Sequence, residues 1–156
     1  MPSLSEFIKQ RRVAASKADV DVAKEVGISI HEYCDIEQHE EELTELVSIS
    51  TVMRILSSLK IGKREFIQLL GCDPESFICG TPSQILISAI NKTNYSPSDV
   101  AIAVGYDEET IVNLKDKEGF GRQLNISVVR DIEDYVKITP GCLVISIMNE
   151  GSCHHL

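Results

Sequence analysis

The chain has 156 residues, 43 % of them hydrophobic and 25 % charged, a balance that suits one ordinary domain or two small ones and excludes a disordered polypeptide. Its longest strongly apolar stretch, Cys142 to Met148, is far shorter than the roughly 20 residues a membrane span needs, so no membrane partner is expected. The net charge is −9, with 9 basic against 14 acidic residues over 1–78 and 6 against 10 over 79–156. Neither half carries the positive excess from which DNA-binding proteins draw much of their strength.

In chain order, Ser3 and Glu6 stand three apart before an apolar-periodic run, the spacing of a capping box, and predict a first helix from Leu4 to about Ala15 with Phe7 and Ile8 inward. A second helix covers about Ala18 to Val26, with Val22, Ala23 and Val26 on one face and Gly27 supplying the left-handed turn that ends it. Ser29 caps a third helix, with Glu32 at its third position, ending near Glu37. Val52, Ile55, Leu56 and Leu59 place a fourth helix over about Ile49–Leu59, and Phe66, Ile67 and Leu70 a fifth over about Lys63–Leu70. Residues 71–81, rich in Gly, Pro and Asp, read as a linker.

The same order then recurs. At an offset of 78, Thr81-Pro82-Ser83-Gln84 lies over Ser3-Leu4-Ser5-Glu6, and Val100-Ala101 with Val104-Gly105 lies over Val22-Ala23 with Val26-Gly27. Ser96-Pro97 opens the second helix of this copy, and Asp107 caps its third. Beyond a one-residue deletion the offset is 77. Ile126-Ser127-Val128-Val129 then covers Ile49-Ser50-Thr51-Val52, so a fourth helix follows Asn125, and Thr139-Pro140 is expected to open the fifth, with Leu143, Val144 and Ile147 apolar. The expected architecture is all-α: units at residues 1–70 and 82–150, a linker at 71–81 and a tail at 151–156. The apolar face of the fifth helix can pack its own unit, meet the other unit or form a homodimer, and the sequence leaves these open.

Phe7-Ile8 with Arg12, Val22-Ala23, Val26-Gly27-Ile28-Ser29, Tyr33 and Ile36-Glu37 together resemble the phage-repressor, or Cro-like (XRE), helix-turn-helix family. The resemblance is close over about residues 4–70 and weaker over about 82–148, and it implies two tandem five-helix, lambda-repressor-like modules. Small Ala23 suits the close crossing of helices two and three, and Cys34 is expected at a core position. The resemblance further implies a structural ion pair between Arg12 and Glu37, for which the second copy has Ile90 and Lys115 instead.

The resemblance also implies a DNA-reading third helix. The candidate contacts are Lys17, Ser29, Ile30, His31, Glu32 and Asp35 in the first copy and Glu108, Glu109, Thr110 and Asn113 in the second. Asp19 and Pro97 occupy the place where the family often has glutamine. Lys9, Arg11, Arg54, Lys60, Lys63 and Arg64 are further basic residues that could grip a phosphate backbone, but the reading positions are largely acidic, and Glu40, Glu41, Glu42 and Glu45 follow directly. Two partners are therefore in view. One is DNA, bound by a transcription regulator; the other is a protein, bound by an acidic module of antirepressor, antitoxin-like or DNA-competing type that kept the fold but lost DNA binding.

Enzyme signatures are missing: there is no Gly-rich phosphate loop, no Gly-x-Ser-x-Gly and no His-Glu-x-x-His. The five cysteines, Cys34, Cys72, Cys79, Cys142 and Cys153, form no CxxC pair and predict reduced thiols. His31, Asp35 and His39, and the Cys153-His154-His155 tail, are the nearest approaches to a metal-ligand set. Neither has convincing geometry in the sequence, so no metal or cofactor is expected. The opening residues lack the basic and apolar segments of a signal peptide, so a cytoplasmic location is expected.

Overall fold

The computed structural model describes residues 2–77 and 80–150, and over them the chain is all-helical. The first half contains α1 (Leu4–Ala14), α2 (Asp19–Val26), α3 (Ile30–Gln38), a π-helical turn (Glu42–Leu46), α4 (Ile49–Ser58) and α5 (Lys63–Leu69). The second contains α6 (Pro82–Thr93), α7 (Pro97–Val104), α8 (Glu108–Asp116), a 3-10 turn (Phe120–Gln123), α9 (Ile126–Val136) and α10 (Cys142–Asn149). The halves share one order of elements, with a π turn in the first where the second has a 3-10 turn. None of these helices is long and apolar enough to cross a membrane.

Local chemistry accounts for most boundaries. Ser3 and Thr81 close full capping boxes with Glu6 and Gln84, and Ser96 forms another with Asp99. Ser29, Ser48 and Asn125 cap α3, α4 and α9 by accepting from the amides of Glu32, Thr51 and Val128. Asp107 occupies the N-cap of α8, but its side chain accepts no capping bond. The turns after α2 and α7 rest on Gly27 and Gly105, at φ +84° and +76°, a left-handed conformation that a Cβ would strain.

The start of α10 differs from the expected one. Thr139 and Pro140 lie before the helix, and Gly141, at φ +88°, takes the N-cap. A Cβ at Gly141 would stand 2.8 Å from the Cβ and Sγ of Cys72, so both backbone conformation and space require glycine here. The missing side-chain cap comes from α9. Glu133, 1 % exposed, accepts from the amides of Gly141 at 2.8 Å, Leu143 at 2.7 Å and Val144 at 3.2 Å. Burial pushes its carboxyl up from the usual range, against the pull of these amides and of Arg130. Cys142 through Met148 are all buried, so α10 is a core helix without a solvent face.

The described part of the expected linker is structured at residues 74–76. Pro74–Ser76 forms a 3-10 turn against α5, and Cys72 and Pro74 are buried. The apolar residues of both halves join one continuous cluster, from Ile8, Val22, Tyr33, Ile55 and Phe66 to Leu86, Val100, Ile111, Ile132 and Leu143. Cys34, expected in the core, is only partly buried, and its thiol points to Asp19 Oδ2 at 3.8 Å while Tyr33 and Ile36 fill the interior. Phe7 lies partly buried beneath the Arg11 guanidinium, 5.0 Å from the ring centre.

The halves meet through elements of corresponding rank. The π turn of the first packs on α9, and the 3-10 turn of the second packs on α4. Between these contacts Ser48 and Asn125 face each other in an antiparallel bridge, with the Ile49 amide donating to the Leu124 carbonyl at 2.8 Å.

Two substitutions test this core. Phe66 is fully buried, so Phe66→Ala should cost about 3–4 kcal/mol in urea unfolding. Glu133→Ala should cost about 3 kcal/mol, because it leaves buried amides of α10 unpaired; an unchanged unfolding midpoint would show that α10 does not depend on this cap.

Candidate functional site

The third helix of each half follows its glycine turn and shows one face to solvent. On α3, Tyr33 and Ile36 point inward, while His31 and Glu32 are exposed, Ile30 is 41 % exposed and Asp35 is partly buried. On α8, Ile111 and Leu114 point inward, Glu108 and Glu109 are exposed, and Thr110 and Asn113 are partly buried. The outward positions named from the sequence therefore do lie at or near the surface of their helices. What they offer is mainly negative charge and hydrogen-bond acceptors.

Ser29 is spent on its own helix, accepting from the Glu32 amide at 3.1 Å. Asp19, at the start of α2, accepts from the Val20 amide at 2.7 Å and the Cys34 thiol. Glu40 turns back to the start of α1, where it accepts from the amides of Leu4 at 2.8 Å and Ser5 at 3.3 Å and from Ser5 Oγ at 3.1 Å. Glu41 and Glu45 remain exposed beside α3.

The cations are largely committed within the fold. Lys17 Nζ bonds both carboxylate oxygens of Glu25 and donates to the Ser58 carbonyl at 2.9 Å, at the end of α4. Arg54 donates to the Val26 carbonyl at 2.9 Å, at the end of α2. Lys63 donates to the Met148 carbonyl and Asn149 Oδ1, and Arg122 to the Ile147 and Met148 carbonyls, together covering the end of α10. Burial, with Arg122 nearby, pulls the Lys63 ammonium down from its ordinary value. Arg130 donates to the Leu70 carbonyl at 3.0 Å, at the end of α5. Arg11 pairs with Glu65, and Arg64 with Glu75. Each helix C-terminus leaves carbonyls without partners and a partial negative charge, so these placements satisfy both demands. Of the basic residues named as possible phosphate contacts, Lys9 and Lys60 remain exposed outside these pairings.

Arg12 and Glu37 come together as a fork. Nε donates to Oε2 at 2.7 Å and Nη2 to Oε1 at 3.0 Å, while Nη1 reaches the Lys17 carbonyl at 3.0 Å. The Glu37 side chain is 9 % exposed, and its hydrogen bonds raise the Arg12 guanidinium above its ordinary value. Beside them the Tyr33 hydroxyl is buried without a hydrogen-bond partner among the described residues. Burial first, then Glu37, push that phenol well up, so it stays neutral. In the second half the corresponding positions hold Ile90, 9 % exposed, and Lys115, which lies 3.8 Å from Asp116.

His31 and His39 are both exposed, and among the described residues no group of three or more His, Cys, Asp and Glu side chains is arranged to hold a metal ion. The Cys153-His154-His155 tail lies outside the described residues. Comparison with protein-family models, curated proteins and solved structures finds no match.

The commitment of the cations was not legible one residue at a time. Lys17, Arg54 and Lys63 look like free surface charges in the sequence, because their carbonyl partners lie 41, 28 and 85 residues away.

The ion pair generates its own test. Arg12→Ala leaves the Glu37 carboxylate unpaired and should cost about 3 kcal/mol in urea unfolding. The double change Arg12→Met with Glu37→Met should recover most of that loss, since apolar pairs of similar volume replace buried ion pairs at little cost. A single variant as stable as the parent would show that the pair supports nothing.

Proposed function

We propose that this chain is a helix-turn-helix regulatory protein of the cytoplasm that presents α3 and α8 to a basic protein surface and has no catalytic step or cofactor. The observation that carries this reading is the charge at those two helices. Glu32 and Asp35 on α3 and Glu108 and Glu109 on α8 occupy positions at which a DNA-reading helix would meet base edges and phosphates. Carboxylates there repel a phosphate backbone. Lys17, Arg54, Lys63, Arg64, Arg122 and Arg130 are held by carbonyls or carboxylates of the protein itself. Recruiting them to phosphates would uncover helix ends or break ion pairs. A partner with clustered Lys and Arg gains from the same surface what DNA loses.

DNA binding by a transcription regulator is the second reading. It is favoured by the glycine turns at Gly27 and Gly105, which set α3 and α8 after α2 and α7 in the order of helix-turn-helix proteins, and by two such helices in one chain. His31, Thr110 and Asn113 could contact base edges.

Electrophoretic mobility shift with random and selected duplexes separates the readings. Under the first, no retardation occurs even at low salt. Tight duplex binding that falls steeply with rising salt and weakens on His31→Ala would overturn it in favour of the second.

A further inference from the structure

We infer that the two halves are joined about a local two-fold axis, as the subunits of a symmetric dimer are, and that this internal pairing occupies the surface a second copy of the chain would use. The inference concerns the unit that acts, and it stands whatever α3 and α8 bind.

The seam carries the argument. Ser48 and Asn125 hold the same place in the two halves, at an offset of 77, and each caps the fourth helix of its half. They face each other in an antiparallel bridge. Two equivalent residues paired antiparallel are the mark of a two-fold axis passing between them. At the same offset Val47 corresponds to Leu124 and Ile49 to Ile126. The bond from the Ile49 amide to the Leu124 carbonyl therefore joins one half to the counterpart of Val47, two residues before Ile49 in its own half. On either side the contacts are reciprocal: the turn before the fourth helix of each half packs on the fourth helix of the other. An interface between unlike faces would pair non-corresponding elements and would not be reciprocal.

Other ties break the symmetry and favour this pairing over one between two chains. Lys63 reaches the end of α10, and Arg130 reaches the end of α5. Their counterparts at the same offset are Pro140 and Met53, which cannot donate in return. Two copies of either half would lose one side of each tie. The connection through residues 71–81 adds a high effective concentration, on the order of millimolar for short linkers. One chain thus carries both third helices as a fixed pair. A two-fold relation keeps its mates at one height along the axis, so α3 and α8 stand level and can meet a target with two-fold symmetry, one chain per target.

Sedimentation equilibrium of the native chain from micromolar to millimolar concentration should return the single-chain mass of 17.3 kDa throughout. A concentration-dependent rise to twice that mass would overturn the inference. A second test fixes the geometry. A bridge pair flanked by such a bond is of the narrow type, with Cα atoms about 4.5 Å apart, within disulfide range. With oxidised glutathione as the oxidant, the double variant Ser48→Cys, Asn125→Cys should close a disulfide within one chain. A non-reducing gel should show the monomer, and peptide mapping should join 48 to 125; the single variants control for the five native cysteines. A 48–125 link between two chains would overturn the inference. Should loss of both helix caps unfold the double variant, the mass of the native chain still decides.

Discussion

Short helices make many ends, and the need to satisfy those ends governs this protein. Each terminus leaves amides or carbonyls that the helix cannot pair. The amide ends are met mostly by neighbouring side chains, at Ser3, Ser29, Ser48, Thr81, Ser96 and Asn125. The carbonyl ends of α2, α4, α5 and α10 are met from a distance by Arg54, Lys17, Arg130, Lys63 and Arg122. Lys and Arg are scarcer here than Asp and Glu, 15 against 24. Arg54, Lys63, Arg122 and Arg130 are spent on carbonyls, whereas Arg11, Arg12, Lys17 and Arg64 each pair with a carboxylate. Helix geometry thus decides where much of the positive charge sits.

The near-neighbour part of this scheme can be read along the chain. Capping boxes at Ser3 and Thr81, the glycines after α2 and α7 and the apolar spacing of α4 act over a few residues, so pattern alone places those elements within a residue or two. The remote part cannot be read that way. Glu133 caps a helix that starts nine residues later, past two Thr-Pro residues that imitate a helix start. Gly141 looks like a loop residue until Cys72 is seen to lie against it. The candidate residues on α3 and α8 were legible as outward positions, because helical period fixes a face. Lys17 was not, since its commitment to Glu25 and Ser58 depends on how α2 and α4 meet.

Comparing the halves shows which interactions the fold can exchange. Lys17 and Ser58, linked by a hydrogen bond, correspond to Tyr95 and Tyr135, whose rings stack with centroids 4.6 Å apart. The same joint, between the start of the second helix and the end of the fourth, is polar in one half and aromatic in the other. Arg11 and Glu65, an ion pair, correspond to Ala89 and Cys142, both buried. Arg12 and Glu37 give way to Ile90 and Lys115. Such exchanges are mild as long as neither partner is left buried alone. The second half has apolar joints where the first has polar ones, and α10 without a solvent face is the extreme of that difference.

Against this background the acidic third helices need a cause. Part of it is folding: Glu32, Glu108 and Glu109 sit in first turns, where the helix dipole favours negative charge. The same cause reaches Glu41 and Glu45, at the N-cap and in the first turn of the π turn, but not Asp116, the last residue of α8, which pairs instead with Lys115. Exposed positions of this kind tolerate most residues within about 0.5 kcal/mol, so stability neither requires acid there nor excludes Lys and Arg. Two halves that have exchanged ion pairs for aromatic and aliphatic contacts elsewhere are alike in showing negative charge around the third helix. Helix dipoles account for the acids in first turns, and the same geometric cause therefore acts on both halves however far their joints have diverged.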